Sequence, residues 1–221
     1  MKGFVIFSVA LLCVLTGKSQ AEFGIFAGPH GSSAIYSVDG VKQSTDYKFG
    51  FHLGAGFKIP FEKQLSFSPA ISYKMMGYKV VFSNPSFPPD LLAKDNNTSF
   101  HEIDVYLLLQ FDLGKQKNHF FLRAGPSFNF ILGGKEKFNL ATGEYIDRSM
   151  KFSVTNGYGP YGTSVVGQFG FETSGGFIFY AHYLQGLISM NNEDDGPTIK
   201  NHLLGLTFGV FLKSKKQKNS Q

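Results

Sequence analysis

The sequence YKFGFHLGAGFKI, from Tyr47 to Ile59, decides the fold class. Its odd-numbered positions are apolar or aromatic, and its even-numbered positions are Lys, Gly or His. Successive side chains of a β-strand point to opposite faces, so this segment has one apolar face and one polar or small face. Strands average about five or six residues, whereas a tilted strand that crosses a bilayer needs about 9–11. The alternation therefore favours a membrane-spanning β-strand.

The same two-residue period recurs along the chain, and we find almost no helical period of 3.6 residues. The further predicted strands are about 23–36, 65–75, 102–113, 120–130, 164–172, 177–188 and 200–212. The connections alternate in length; the short ones are 60–64, 114–118 and 173–176, and the longer ones are 37–46, 82–99, 133–160 and 189–199. Outer-membrane barrels have short periplasmic turns and longer extracellular loops. We therefore predict an all-β fold, an eight-stranded antiparallel up-and-down transmembrane β-barrel, or ten strands if 135–152 forms a hairpin about Ala141–Glu144.

The two ends of the chain differ from the predicted barrel. Lys2, the apolar run Phe4–Leu15 and Ser19-Gln20-Ala21 are typical of a secretory signal peptide over 1–21. We predict a barrel over 22–212 and a basic periplasmic tail over 213–221. Six lysines lie in the two end segments, two in the leader and four in the tail, so the net charge of +5 becomes about −1 over 22–212. The barrel thus lacks the basic surface that a nucleic-acid partner requires.

Four short motifs resemble the PorT-like outer-membrane β-barrels of Bacteroidetes. They are Phe26-Ala-Gly-Pro, Phe100-His-Glu-Ile-Asp-Val-Tyr-Leu-Leu-Leu-Gln-Phe, His119-Phe-Phe-Leu-Arg-Ala-Gly-Pro and Tyr183-Leu-Gln-Gly-Leu. Asp104 stands where that family usually has proline. The resemblance implies a barrel of OmpA or OmpX size in the bacterial outer membrane, inserted by the barrel-assembly machinery. It also implies a link to protein secretion or surface machinery, as for some members of that family.

The small inward face of the strands carries a set of ionisable residues. The alternation assigns to the lumen Lys48, His52, Lys74, Glu102, Asp104, Asp112 and Arg123. Eight strands leave an interior that side chains just fill, and buried charges need partners. We predict a salt-bridged, closed lumen, with a narrow ion path as the alternative. His30, His101 and His202 are interpreted as polar residues of the outer rim.

The sequence lacks the motifs of common catalytic sites, such as G-x-S-x-G and H-E-x-x-H. We expect no enzyme activity, no cofactor and no metal. The predicted role is structural or interactive, with outer-membrane lipid around the barrel. Loops 82–99 and 133–160 are predicted to contact a protein partner, and for loop 82–99 the alternative is packing over the barrel mouth. The alternatives are a narrow channel or small-solute porin, a lipid-modifying barrel enzyme, and a soluble periplasmic barrel that binds an apolar ligand.

Overall fold

The computed structural model describes residues 21–83, 90, 92–155, 157–194 and 196–212. The predicted signal peptide, except Ala21, and the predicted basic tail lie outside these residues. Among the described residues, no helix is long and apolar enough to cross a membrane.

Ten antiparallel strands form one sheet. They are β1 (Glu22–Val38), β2 (Val41–Lys42), β3 (Ser44–Pro60), β4 (Leu65–Val81), β5 (Asp95–Leu113), β6 (His119–Asn139), β7 (Tyr145–Ser149), β8 (Tyr161–Glu172), β9 (Phe177–Gly186) and β10 (Thr198–Leu212). Strand β1 pairs with β10, from Phe23 opposite Leu212 to Ser37 opposite Thr198, and this pairing closes the sheet. The short strands β2 and β7 pair only at the ends of β1 and β6, so the wall itself has eight strands, as predicted.

The outward face of the wall is a band of exposed apolar side chains. In β3 it runs from Phe49 to Phe57, and in β10 from Leu204 to Leu212. Each segment is close to the length that a tilted strand needs to cross a bilayer. An outward apolar band with a filled interior is the pattern of a small transmembrane barrel.

The segment Tyr47–Ile59 contains a break in its pairing with β4 that the alternating sequence does not reveal. Pairing between β3 and β4 is interrupted between Tyr47 and Phe51, where β3 has one residue more than β4. At this break Ser32 Oγ of β1 donates to the carbonyl of Gly77, 2.8 Å away, and accepts from its N–H at 2.9 Å. A side chain of β1 therefore satisfies the backbone of β4, and β3 bulges at Lys48.

The interior holds two apolar clusters. The larger one lies toward the long loops and includes Tyr36, Tyr78, Phe100, Phe138 and Leu203. The smaller one lies toward the short turns and consists of Phe121, Ile178, Tyr180 and Phe211. Polar and charged side chains occupy the space between and below these clusters.

The wall rises well beyond the apolar band at the long-loop end. Strand β6 continues to Asn139, turns at Leu140–Glu144 and pairs with β7, which confirms the predicted hairpin. The predicted loop 82–99 also contains strand, because β5 begins at Asp95. We call the ends of β4–β6 (76–81, 95–100 and 133–139), β7 and residues 140–160 the outer extension. Both predicted loops were thus too long, because alternation at the strand ends is weaker outside the lipid band.

Candidate functional site

A buried charge cluster crosses the middle of the lumen on β4 and β5. Lys74 is opposite Glu102 in the β4–β5 register, and Asp104 lies two residues farther along β5. Lys74 Nζ lies 3.2 Å from Glu102 Oε1 and 2.9 Å from Asp104 Oδ2. Ser127 Oγ donates to Asp104 Oδ1 at 2.8 Å, and Asn129 Nδ2 donates to Glu102 Oε2 at 3.2 Å. Three of the seven predicted lumen residues therefore form one cluster, supported by two polar side chains of β6.

Arg123 lies lower in the lumen and is not part of that cluster. Its Nε donates to Gln110 Oε1 at 2.6 Å. The guanidinium carbon lies 4.4 Å from the ring centroid of Phe121, 5.5 Å from that of Tyr180 and 5.6 Å from that of Phe211. A planar guanidinium stacks well on aromatic faces. Nη1 also donates to Gln168 Oε1 at 3.4 Å, so the expected opposition of Arg123 to acidic groups is replaced by two amides and three rings.

Asp112 belongs to a second charge cluster, at the barrel end that carries the short turns. We call this end the short-turn mouth. Lys58 Nζ lies 3.1 Å from Asp112 Oδ2 and 2.8 Å from Glu172 Oε2. His119 Nε2 lies 3.2 Å from Asp112 Oδ1 and 3.7 Å from Glu172 Oε2. Because Lys58 and Glu172 come from β3 and β8, their ion pair spans the mouth.

His52 packs with two other histidines inside the lumen. Its Nδ1 is 3.3 Å from His30 Nδ1, and its Nε2 is 2.9 Å from Thr207 Oγ1. His182 Nδ1 lies 3.1 Å from the same hydroxyl. Gly205 makes room for these rings, since a Cβ there would lie 2.5 Å from His182 Cε1. The interpretation of His30 as a rim residue is corrected, because it is buried inside the lumen.

Lys48 lies on the outer face of the wall. Its Nζ donates to three groups of β5: Asn97 Oδ1 at 2.6 Å, the Thr98 carbonyl at 2.9 Å and Ser99 Oγ at 2.6 Å. The neighbouring Thr98 side chain is buried inside, so Asn97 and Ser99 point outward. The bulge in β3 shifts the alternation by one residue and explains why the predicted lumenal position of Lys48 is corrected.

Side chains of the described residues fill most of the middle of the lumen. Two internal cavities measure about 20 Å³ and 30 Å³, room for one or two water molecules. The first is bordered by Glu102 and Asn129, and the second by Arg123 and Gln168. Beside the Lys74 cluster and Arg123, the two cavities are therefore the size of one or two water molecules.

The outer extension is held together by polar contacts around a buried carboxylate. Glu136 accepts from Arg148 Nε at 2.6 Å and from the Tyr158 hydroxyl at 2.7 Å. Arg148 also donates to Asp90 Oδ2 at 3.1 Å and lies over the Phe138 ring, 5.1 Å from its centroid. Burial raises the pKa of Tyr158 well above its ordinary value, and the Glu136 carboxylate adds to this shift. Glu136 thus links β6, β7 and Tyr158 in the outer extension.

Several participants in these clusters were not singled out by the sequence, among them His182, Thr207, His119 and Glu172. The inward-facing alternation of β8, β9 and β10 gave a signal for three of them, because each lies on the small face of its strand. Their height in the barrel depends on the register between strands. Only the register shows that His182 and Thr207 lie beside His52. It also shows that His119 and Glu172 lie beside Asp112.

The fold and lumen can now be compared with known proteins. A family model, the outer membrane protein beta-barrel domain, matches residues 16–192 of the chain. The chain belongs to this family. It is therefore an outer-membrane β-barrel protein of bacteria. Barrels of this class have short periplasmic turns and longer extracellular loops. No curated protein sequence matches the chain at a significant level.

Several solved structures resemble this family member at low identity. Ail of Yersinia pestis, solved in complex with the heparin analogue sucrose octasulfate, has 16% identity and a TM-score of 0.45, over 87% of this chain and 99% of Ail. Neisserial surface protein A has 14% identity and a TM-score of 0.46, over 87% and 99%. OprG of Pseudomonas aeruginosa has 12% identity and a TM-score of 0.44, over 90% and 99%. At these identities the likenesses assign no function.

Proposed function

We propose that the protein is a closed, non-enzymatic outer-membrane barrel that acts as an interaction module through its outer extension. The filled lumen carries this proposal. The Lys74 cluster, the Arg123 stack and the Lys58 pair close it at three successive levels. A barrel closed in this way offers its outer end, and not its interior, to other molecules.

The outer extension has the form that a binding platform requires. Its β6–β7 hairpin is anchored by Glu136 and Arg148, so exposed groups around it are presented on a rigid base. Val154 is 62% exposed and Tyr145 is 58% exposed at this end of the molecule. Ordered aromatic and apolar groups lose little entropy on binding. The partner is a protein contacting 82–99 and 133–160.

The same proposal covers the surroundings of the barrel. The apolar band contacts outer-membrane lipid, and the barrel-assembly machinery inserts the chain. The motif resemblance to PorT-like barrels supports a role beside protein secretion or surface machinery. A lipid-modifying enzyme would need room for its substrate beside a nucleophile, and the lumenal cavities next to Glu102 and Arg123 hold only water-sized molecules.

Site-specific photo-crosslinking in intact cells of the source bacterium tests the proposal. A photoreactive residue replaces Val154 in the outer extension, and a matched control replaces Leu206, which is 45% exposed in the lipid band. We expect a discrete protein adduct from position 154 that is absent from position 206. Absence of an adduct at both positions, or the same adduct at both, would overturn the interaction role.

A further inference from the structure

The short-turn mouth brings together three metal-ligating side chains from three adjacent strands. Asp112 lies near the end of β5, His119 begins β6 and Glu172 ends β8. His119 is directly opposite Glu172 in the β6–β8 register. One ligand atom from each of the three residues lies within 4.8 Å of the other two. The strand register therefore places an imidazole and two carboxylates around one point.

The imidazole has the environment of a ligand and not that of an ordinary hydrogen-bonded histidine. The His119 side chain is 11% exposed, and both ring nitrogens are buried without a hydrogen-bond partner among the described residues. Nε2 lies 3.2 Å from Asp112 Oδ1 and 3.7 Å from Glu172 Oε2, so it faces both carboxylates, whereas Nδ1 has no partner among the described residues. Buried polar atoms normally have a partner, and one that has none calls for an explanation such as an ion.

One of the two carboxylates, that of Asp112, is oriented by a neighbouring amide, and the other is buried. Gln110 Nε2 donates to Asp112 Oδ1, 2.5 Å away, and fixes the orientation of that carboxylate. Glu172 is buried, with a side chain only 2% exposed. In metal sites, hydrogen bonds from neighbouring groups regularly orient the side chains that bind the ion directly. The site also has an entry path, because a cavity of about 490 Å³ at the mouth is bordered by all three ligands.

We propose that Asp112, His119 and Glu172 bind a divalent transition-metal ion of the zinc class at the short-turn mouth. One imidazole nitrogen and two carboxylate oxygens are ligands that Zn²⁺ accepts, and water from the periplasm completes its coordination. The site lies at the opposite end of the barrel from the outer extension, so it is independent of the proposed interaction role.

Lys58 is the cation that a metal must displace. Its ammonium contacts both carboxylates, at 3.1 Å from Asp112 and 2.8 Å from Glu172. A metal ion and an ammonium would repel each other at this distance. Lys58 therefore competes with the metal and sets its affinity.

Calorimetric titration of the full-length, detergent-folded barrel with Zn²⁺ tests this site. The unchanged chain should bind one equivalent. His119→Gln should lower the affinity at least tenfold while leaving the Lys58 ion pairs in place, and Glu62→Gln, the matched control in the same cavity, should stay within about threefold of the unchanged chain. Titration with Co²⁺ gives a second readout, because a bound ion of low coordination number absorbs strongly in the visible range.

Lys58→Gln separates a metal site from a purely structural ion-pair network. If the site binds metal, this variant binds Zn²⁺ at least tenfold more tightly, and Zn²⁺ raises its unfolding temperature more than that of the unchanged chain. Loss of stability in Lys58→Gln with no gain in Zn²⁺ affinity would overturn the proposal. Equal Zn²⁺ binding by the unchanged chain and His119→Gln would overturn it as well.

Discussion

Replacing Lys74 by Met removes the cation from the buried cluster at the centre of the lumen. Lys74 is 0% exposed, Glu102 is 2% exposed and Asp104 is 0% exposed, so water cannot take the place of the ammonium. Two carboxylates would remain, and in the intact cluster one oxygen of each lies 3.2 Å or 2.9 Å from Nζ. Removing one partner of a buried ion pair costs about 3–5 kcal/mol. That corresponds to a decrease of about 10²- to 10⁴-fold in the folding equilibrium constant.

Urea unfolding in lipid vesicles measures this loss, with the folded fraction read from migration on a gel without heating. The chain has no tryptophan, so the gel replaces the usual fluorescence signal. Lys79→Met is the matched control, because Lys79 is exposed on the same strand and should change stability little. The triple variant Lys74→Met, Glu102→Gln, Asp104→Asn should regain most of the loss, because it leaves no charge in this cluster. If the free energy of unfolding of Lys74→Met lies within about 1 kcal/mol of that of the unchanged chain, the Lys74 ammonium does not stabilise the two buried carboxylates.

Three further outcomes follow from the geometry. Gly205→Val should cost about 1–3 kcal/mol in the same urea assay, because its Cβ would lie 2.5 Å from His182 Cε1; an unchanged midpoint would contradict the packed histidine cluster. Tyr158 keeps its proton in the folded protein, whereas an unfolded tyrosine ionises near pH 10, so the stabilisation it provides is complete below about pH 10 and is lost as pH rises further. Proteolysis of 150–160 should therefore increase above that pH in the unchanged chain and less in Tyr158→Phe; equal increases would contradict the assignment. Lys137→Ala should leave the urea midpoint unchanged, because its ion pair with Asp147 at 2.9 Å is exposed, and a clear loss would show that the hairpin depends on it.

The architecture could be predicted because it depends on a period that local sequence shows. Alternation from Phe51 to Phe57 assigns each side chain to lipid or lumen, and the order of short and long connections gives the barrel its direction. The contact of Lys74 with Glu102 follows from the same reasoning, since both lie inward on strands joined in sequence. The order of neighbouring strands and the face that each side chain occupies can both be read from nearby sequence.

The clusters that the sequence missed depend on non-local information. His30 and His182 are far apart in sequence and meet because β1 pairs with β10 and β10 with β9, in registers that no local pattern gives. Lys48 was misplaced because one extra residue in β3 shifts its side chain to the outer face. Such a bulge leaves no mark in an alternating sequence. Charge alone also does not distinguish Arg123, which stacks on rings, from Lys74, which pairs with acids.

Single-channel recording in planar bilayers tests the closed lumen most directly. The purified full-length barrel, shown to be folded by its gel migration, is added to a bilayer at high salt and moderate voltage. The filled interior predicts a flat current with no reproducible unitary steps, because its internal cavities of about 20 Å³ and 30 Å³ hold only isolated water. Discrete current steps of constant size in the unchanged chain, altered in size by Lys74→Met, would show that the lumen conducts ions and is not closed.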